Sequence, residues 1–95
     1  MMPSVTADTV FVLNEQASLQ SAGDGAVILL ADSGQLYTCN ETTEAFLRNV
    51  DGTRSFAEVV SAFVEEFEID QATAERDLRE LSEELVAEKI LDRRP

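Results

Sequence analysis

Apolar positions along this chain come first in short β-rich runs and later at helical spacing. Val10-Phe11-Val12-Leu13 predicts a first strand, extending toward Leu19. Gly23-Asp24-Gly25 breaks it. Ala26-Val27-Ile28-Leu29-Leu30 predicts a second strand, and Gln35-Leu36-Tyr37-Thr38-Cys39 a third. Asp32-Ser33-Gly34 between them suits a short hairpin loop, so these two strands should be antiparallel neighbours.

From Asn40 onward the period lengthens. Asn40 can cap a helix running to about Val50, with Phe46, Leu47 and Val50 on one face and Asp51-Gly52 as its stop. Ser55 and Glu58 form a capping box for a second helix. Its stripe is Phe56, Val59, Val60, Phe63, Val64 and Phe67. Asp70 caps a third, with Ala74, Leu78, Leu81 and Leu85 as its stripe. Glu44–Arg48 and Glu75–Arg79 are favourable i,i+4 pairs on solvated helix faces. Strands first and helices afterwards make an α+β chain: a three-stranded antiparallel sheet followed by three helices. Its length of 95 residues suits a single domain, residues 1–95, with its core at about 10–92.

Charge narrows the function. There are 19 acidic and 7 basic residues, a net charge of −12. Residues 1–40 contain no Lys or Arg, and only Asp8, Glu15, Asp24 and Asp32 as acids. Nucleic-acid binding needs a basic face, and an anionic membrane would repel this chain. No apolar run is long enough to span a bilayer, and no signal peptide is visible. A cytoplasmic location is the expectation. Cys39 is the only cysteine, so no internal disulfide forms, and it reads as a small core residue. Without histidine, His-based triads and the usual zinc sets disappear.

No catalytic constellation emerges, and no cofactor or metal site. Glu65, Glu66 and Glu68 read as a solvated helix face. The informative feature is an edge. A meander leaves the third strand at one side of the sheet, and edges are normally blunted by Lys, Pro, a bulge or an inward charge. Residues 35–39 have none of these. Either a helix covers this edge, or it stays open for another chain to add a strand.

The stretch from Ala26 through Asp32-Ser33-Gly34 and Leu36-Tyr37 to Asn40-Glu41-Thr42 resembles the signature of the PqqD-like family. Asp51-Gly52, Ser55-Phe56-Ala57-Glu58-Val59-Val60, Asp77-Leu78, Leu81, Leu85 and Ile90-Leu91 continue the resemblance in order, over about residues 10–92. Cys39, Leu47 and Asn49 depart from it, where the family has Leu, often Trp, and an apolar residue; the first helix then packs a thinner core, or Asn49 faces water. The resemblance implies a RiPP recognition element with a winged-helix-like fold. Such domains hold the leader of a ribosomally made precursor peptide as an added strand beside strand three and helix three. They present it to a modifying enzyme, such as a radical-SAM maturase or, in lasso-peptide systems, a leader protease. Carried onto this chain, the peptide-binding residues are Gln35, Leu36, Tyr37, Thr38, Cys39, Ala74, Asp77, Leu78, Leu81 and Glu84.

Two other classes are weaker. An acyl or peptidyl carrier needs a serine at a helix start, whereas Ser33 falls in a hairpin turn. A winged-helix DNA binder needs a basic third helix, whereas Arg76 and Arg79 sit among Glu75, Asp77, Glu80, Glu83 and Glu84.

Overall fold

A computed structural model describes residues 5–94. Eight elements follow in chain order: β1 (Phe11–Leu13), β2 (Ala17–Ala22), β3 (Gly25–Leu30), β4 (Gln35–Cys39), α1 (Glu41–Asn49), α2 (Phe56–Phe67), α3 (Gln71–Ala87) and β5 (Leu91–Arg93). The antiparallel sheet β2-β3-β4 precedes the three helices. This is the predicted α+β arrangement, and it is compatible with a winged-helix-like description.

One expectation needs correction. The first run does not continue from Val10 toward Leu19 as a single strand. Asn14 splits it: its Oδ1 accepts from Gln16 N–H at 3.0 Å, and its carbonyl accepts from Ala17 N–H at 2.9 Å. The sheet's first strand is therefore β2, paired with β3 from Ala17↔Leu30 to Ala22↔Gly25. The earlier piece, β1, leaves this sheet and pairs with β5, Leu13 opposite Leu91. Ile90 and Leu91 are thereby buried in the core.

The β3–β4 hairpin closes as predicted. Gly34 donates to Leu30 O at 2.8 Å and takes a positive φ of 73°, which a glycine adopts without strain. At the far end, Gly25 lies so close to β4 that a Cβ there would meet Cys39 O at 2.0 Å. Glycine at 25 thus lets the two strands stay paired down to Cys39.

Each helix starts where its cap lies. Asn40 accepts from Thr43 N–H, Ser55 and Glu58 make both bonds of the capping box, and Asp70 accepts from Thr73 N–H. Between α1 and α2, Asp51 accepts from the Arg54 and Thr53 N–H groups and the Thr53 hydroxyl, which hold its pKa at about 2. Asn49 neither packs nor simply faces water: it donates to Ala45 O at 2.9 Å and accepts from Arg54 Nη1 at 2.8 Å. The core lies between the sheet and the helices. Ala26, Ile28 and Leu30 supply the sheet side, and Phe46, Phe56, Phe63, Leu78 and Leu85 the helical side. Phe11 meets Phe56 edge to face at 6.5 Å. Burial of aromatic rings of this size dominates the energetics of so small a core.

Candidate functional site

The alternation of backbone groups along β3 decides what β4 offers outward. Ala31 N–H donates to Gln16 O on the β2 side, and Leu30 O accepts from Gly34 N–H on the β4 side. Directions alternate along an antiparallel strand. Leu30, Ile28 and Ala26 therefore aim their backbone groups at β4, and bond their partners Gln35, Tyr37 and Cys39. Leu36 and Thr38 oppose Leu29 and Val27 in the other type of pair. Their N–H and C=O groups point away from the sheet. Since β4 ends the strand order, this edge is unpaired among the described residues.

Side chains alternate too, but across the sheet. Tyr37 and Cys39 face the helices and pack on the core. Leu36 and Thr38 face outward. Leu36 is 66% exposed beside Leu29, which is 41% exposed, so the outer face carries a small apolar pair at the open edge.

A cleft of about 530 Å³ runs between β4 and the second half of α3. Tyr37, Thr38 and Cys39 form one wall, Leu81, Glu84 and Glu88 the other, and Ile28, Leu85 and Ile90 also line it. The Tyr37 hydroxyl donates to Glu88 Oε2 at 2.9 Å, and Gln35 Oε1 lies 3.2 Å from the same hydroxyl. The bond to Glu88 raises the phenol above its ordinary pKa, helped by desolvation and the Glu88 charge. Burial raises the Cys39 thiol; hydrogen bonding with the Ala26 backbone opposes this, and the Glu44 charge adds to it. Both groups are therefore neutral in ordinary buffers, a lining suited to binding rather than to nucleophilic attack.

A second cavity, about 310 Å³, adjoins the cleft at Leu81. Phe63, Phe67, Ile69 and Leu78 make it apolar, and Asp77 is its one charged lining residue among those described. Asp77 is 60% exposed on its side chain, with Arg76 Nε 3.6 Å away.

These distances sort the residues expected at the site. Tyr37, Thr38, Cys39, Leu81 and Glu84 line the cleft, while Asp77, Leu78 and again Leu81 line the second cavity. Gln35 lies at the hairpin end, in a shallow hollow with Gln16, Asp32 and Lys89. Leu36 contributes its outward backbone, not a cleft wall. Ala74 does not belong across the cleft: it is wholly buried in the core, and its methyl group is too short to emerge. Glu88 and Ile90 were not anticipated. Extending the third helix's spacing one turn, from 81 and 84 to 88, would have found Glu88.

Ser33, the nearest thing to a carrier serine, sits in the hairpin loop and hydrogen-bonds Gln35. No group of His, Cys, Asp and Glu placed to hold a metal ion occurs among the described residues. No helix among them is long and apolar enough to cross a membrane.

The family described as coenzyme PQQ synthesis protein D (PqqD) matches residues 25–91, from the first residue of β3 to the first of β5. The chain is similar to a solved structure of TbiB1 in complex with the TbiA(beta) leader peptide, at 21% identity and a TM-score of 0.76. That likeness covers 84% of this chain and 93% of the other. A lasso peptide synthetase B1 complexed with the leader peptide is 26% identical, with a TM-score of 0.76, over 86% of this chain and 96% of that one. No curated protein matches the chain.

Proposed function

Because the chain belongs to the PqqD family, we propose that it is a non-catalytic domain that captures the leader of a ribosomally made precursor peptide. The leader adds as a strand to β4, beside α3, and is presented to a modifying enzyme. That enzyme is a radical-SAM maturase or a leader protease, acting in the cytoplasm. The observation that carries this reading is the outward-pointing backbone of Leu36 and Thr38, next to a largely apolar cleft. An added strand gains main-chain hydrogen bonds there, and its alternate side chains enter the cleft. The two similar proteins, each solved with a leader peptide, support the same role. The neutral Tyr37 and Cys39 fit a surface that binds and does no chemistry.

Thr38→Pro tests it. Proline deletes an outward N–H and leaves the bonds from Tyr37 and Cys39 to β3 in place. The variant should keep its circular dichroism spectrum and lose leader binding. Normal binding by a folded Thr38→Pro protein would end the strand-addition reading.

A further inference from the structure

The cleft beside β4 carries charge of one sign. Its charged lining residues are Glu84 and Glu88, and neither Lys nor Arg lines it among the described residues. Glu84 is exposed and has no ion pair or side-chain hydrogen bond among the described residues. Among the described residues, Glu88 accepts only from the Tyr37 hydroxyl. The adjoining cavity repeats the pattern, with Asp77 beside Phe63, Phe67 and Leu78. The nearest bases do not reverse it. Lys89 lines the neighbouring hollow, which shares Glu88 with the cleft, and Arg76, 3.6 Å from Asp77 Oδ1, is 70% exposed on its side chain.

An apolar trough rimmed by carboxylates repels an acidic strand and leaves its charges poorly solvated. It suits side chains with a long apolar stem and a cationic tip. The spacing agrees. One helical turn separates Glu84 from Glu88 by about 6 Å along the axis. Side chains on one face of a strand repeat at about 6.7 Å. An added strand that runs along α3 brings two successive cleft-facing residues level with the two carboxylates. The residue between them, opposite Thr38, turns to the outer face, where the exposed Leu29–Leu36 pair lies.

We propose that the strand taken up beside β4 is basic, with Lys or Arg at alternate positions facing α3 and, between them, an apolar residue opposite Thr38 on the outer face that carries Leu36. The proposal rests on the strand-addition reading above, and specifies its ligand.

The test is a displayed library of random dodecapeptides, selected on the intact protein at low salt. Recovered peptides should carry Lys or Arg two residues apart around an apolar residue. Their affinity should fall by about tenfold or more in E84Q/E88Q. Glu84→Gln alone, which keeps the Tyr37–Glu88 bond, should show part of the loss. E65Q/E66Q removes the same charge from the exposed face of α2 and should change affinity little. Thr38→Pro should abolish binding. Neutral or acidic peptides that bind E84Q/E88Q normally but fail on Thr38→Pro would overturn the basic strand and leave strand addition standing. Equal losses in E84Q/E88Q and E65Q/E66Q would reduce the effect to net charge and also overturn it. Binding that survives Thr38→Pro would overturn both readings.

Discussion

The Tyr37 hydroxyl donates to a Glu88 carboxylate oxygen at 2.9 Å, joining β4 to the end of α3 across the cleft. The bond ties the edge strand to the helix that walls it, and sets the width of the cleft at that end. It also leaves a titration signature. A phenol that donates to a carboxylate resists losing its proton, since the product is two facing anions. The folded pKa is raised, so this contact's contribution is complete below the ordinary tyrosine value and is lost as pH rises through the folded value.

Tyr37 is the only tyrosine and there is no tryptophan, so phenolate absorbance reports on it alone. Its midpoint should lie above that of free tyrosine. Glu88→Gln should bring the midpoint back toward the ordinary value. A midpoint indifferent to Glu88→Gln would mean that the contact is absent in solution.

The closing strand β5 should matter for stability although Leu91–Arg93 do not line the cleft. Leu91 is fully buried opposite Leu13 and belongs to the core. Leu91→Ala should cost about 2–5 kcal/mol of unfolding free energy, as large-to-small core substitutions do. Urea denaturation measures this. A loss within the range of surface substitutions, about 0.5 kcal/mol, would place residue 91 outside the core.

The helices were legible because their signals are local. Asn40, Ser55 with Glu58, and Asp70 each act within three residues, and all three cap as read. The β3–β4 hairpin was legible for the same reason, through Gly34 and a four-residue loop. The β1–β5 pairing was not, because Leu13 and Leu91 are far apart in sequence and two three-residue strands carry little pattern. Asn14 was a readable break in the first run, a side chain prone to close a turn on its own backbone. At the site, the undefended edge of residues 35–39 followed from composition. Which of those residues point outward did not, since that depends on the phase of the ladder with β3. Ala74 shows the limit of helical spacing: it shares the stripe with Leu78 and Leu81, but only longer side chains reach the cavities.

Asp77 lines the second cavity, with an apolar wall beside it. A charged hydrogen bond from the leader there is worth roughly 1.5–3 kcal/mol. Asp77→Asn should then weaken leader binding by about tenfold or more. The melting temperature should change little, because the side chain is exposed. Calorimetric titration of the leader into both proteins checks it. Equal affinities would return Asp77 to the solvated surface.

The central claim concerns two amides, and amide exchange reads them directly. In the free protein the Leu36 and Thr38 N–H groups point away from the sheet, while those of Tyr37 and Cys39 bond β3. The measurement is amide hydrogen exchange by NMR, with and without a saturating cognate leader peptide. Leu36 and Thr38 should exchange fast when free and become strongly protected when bound, with Tyr37 and Cys39 protected in both states. Leu36 and Thr38 amides that exchange as fast in the complex as in the free protein would contradict leader capture at this edge.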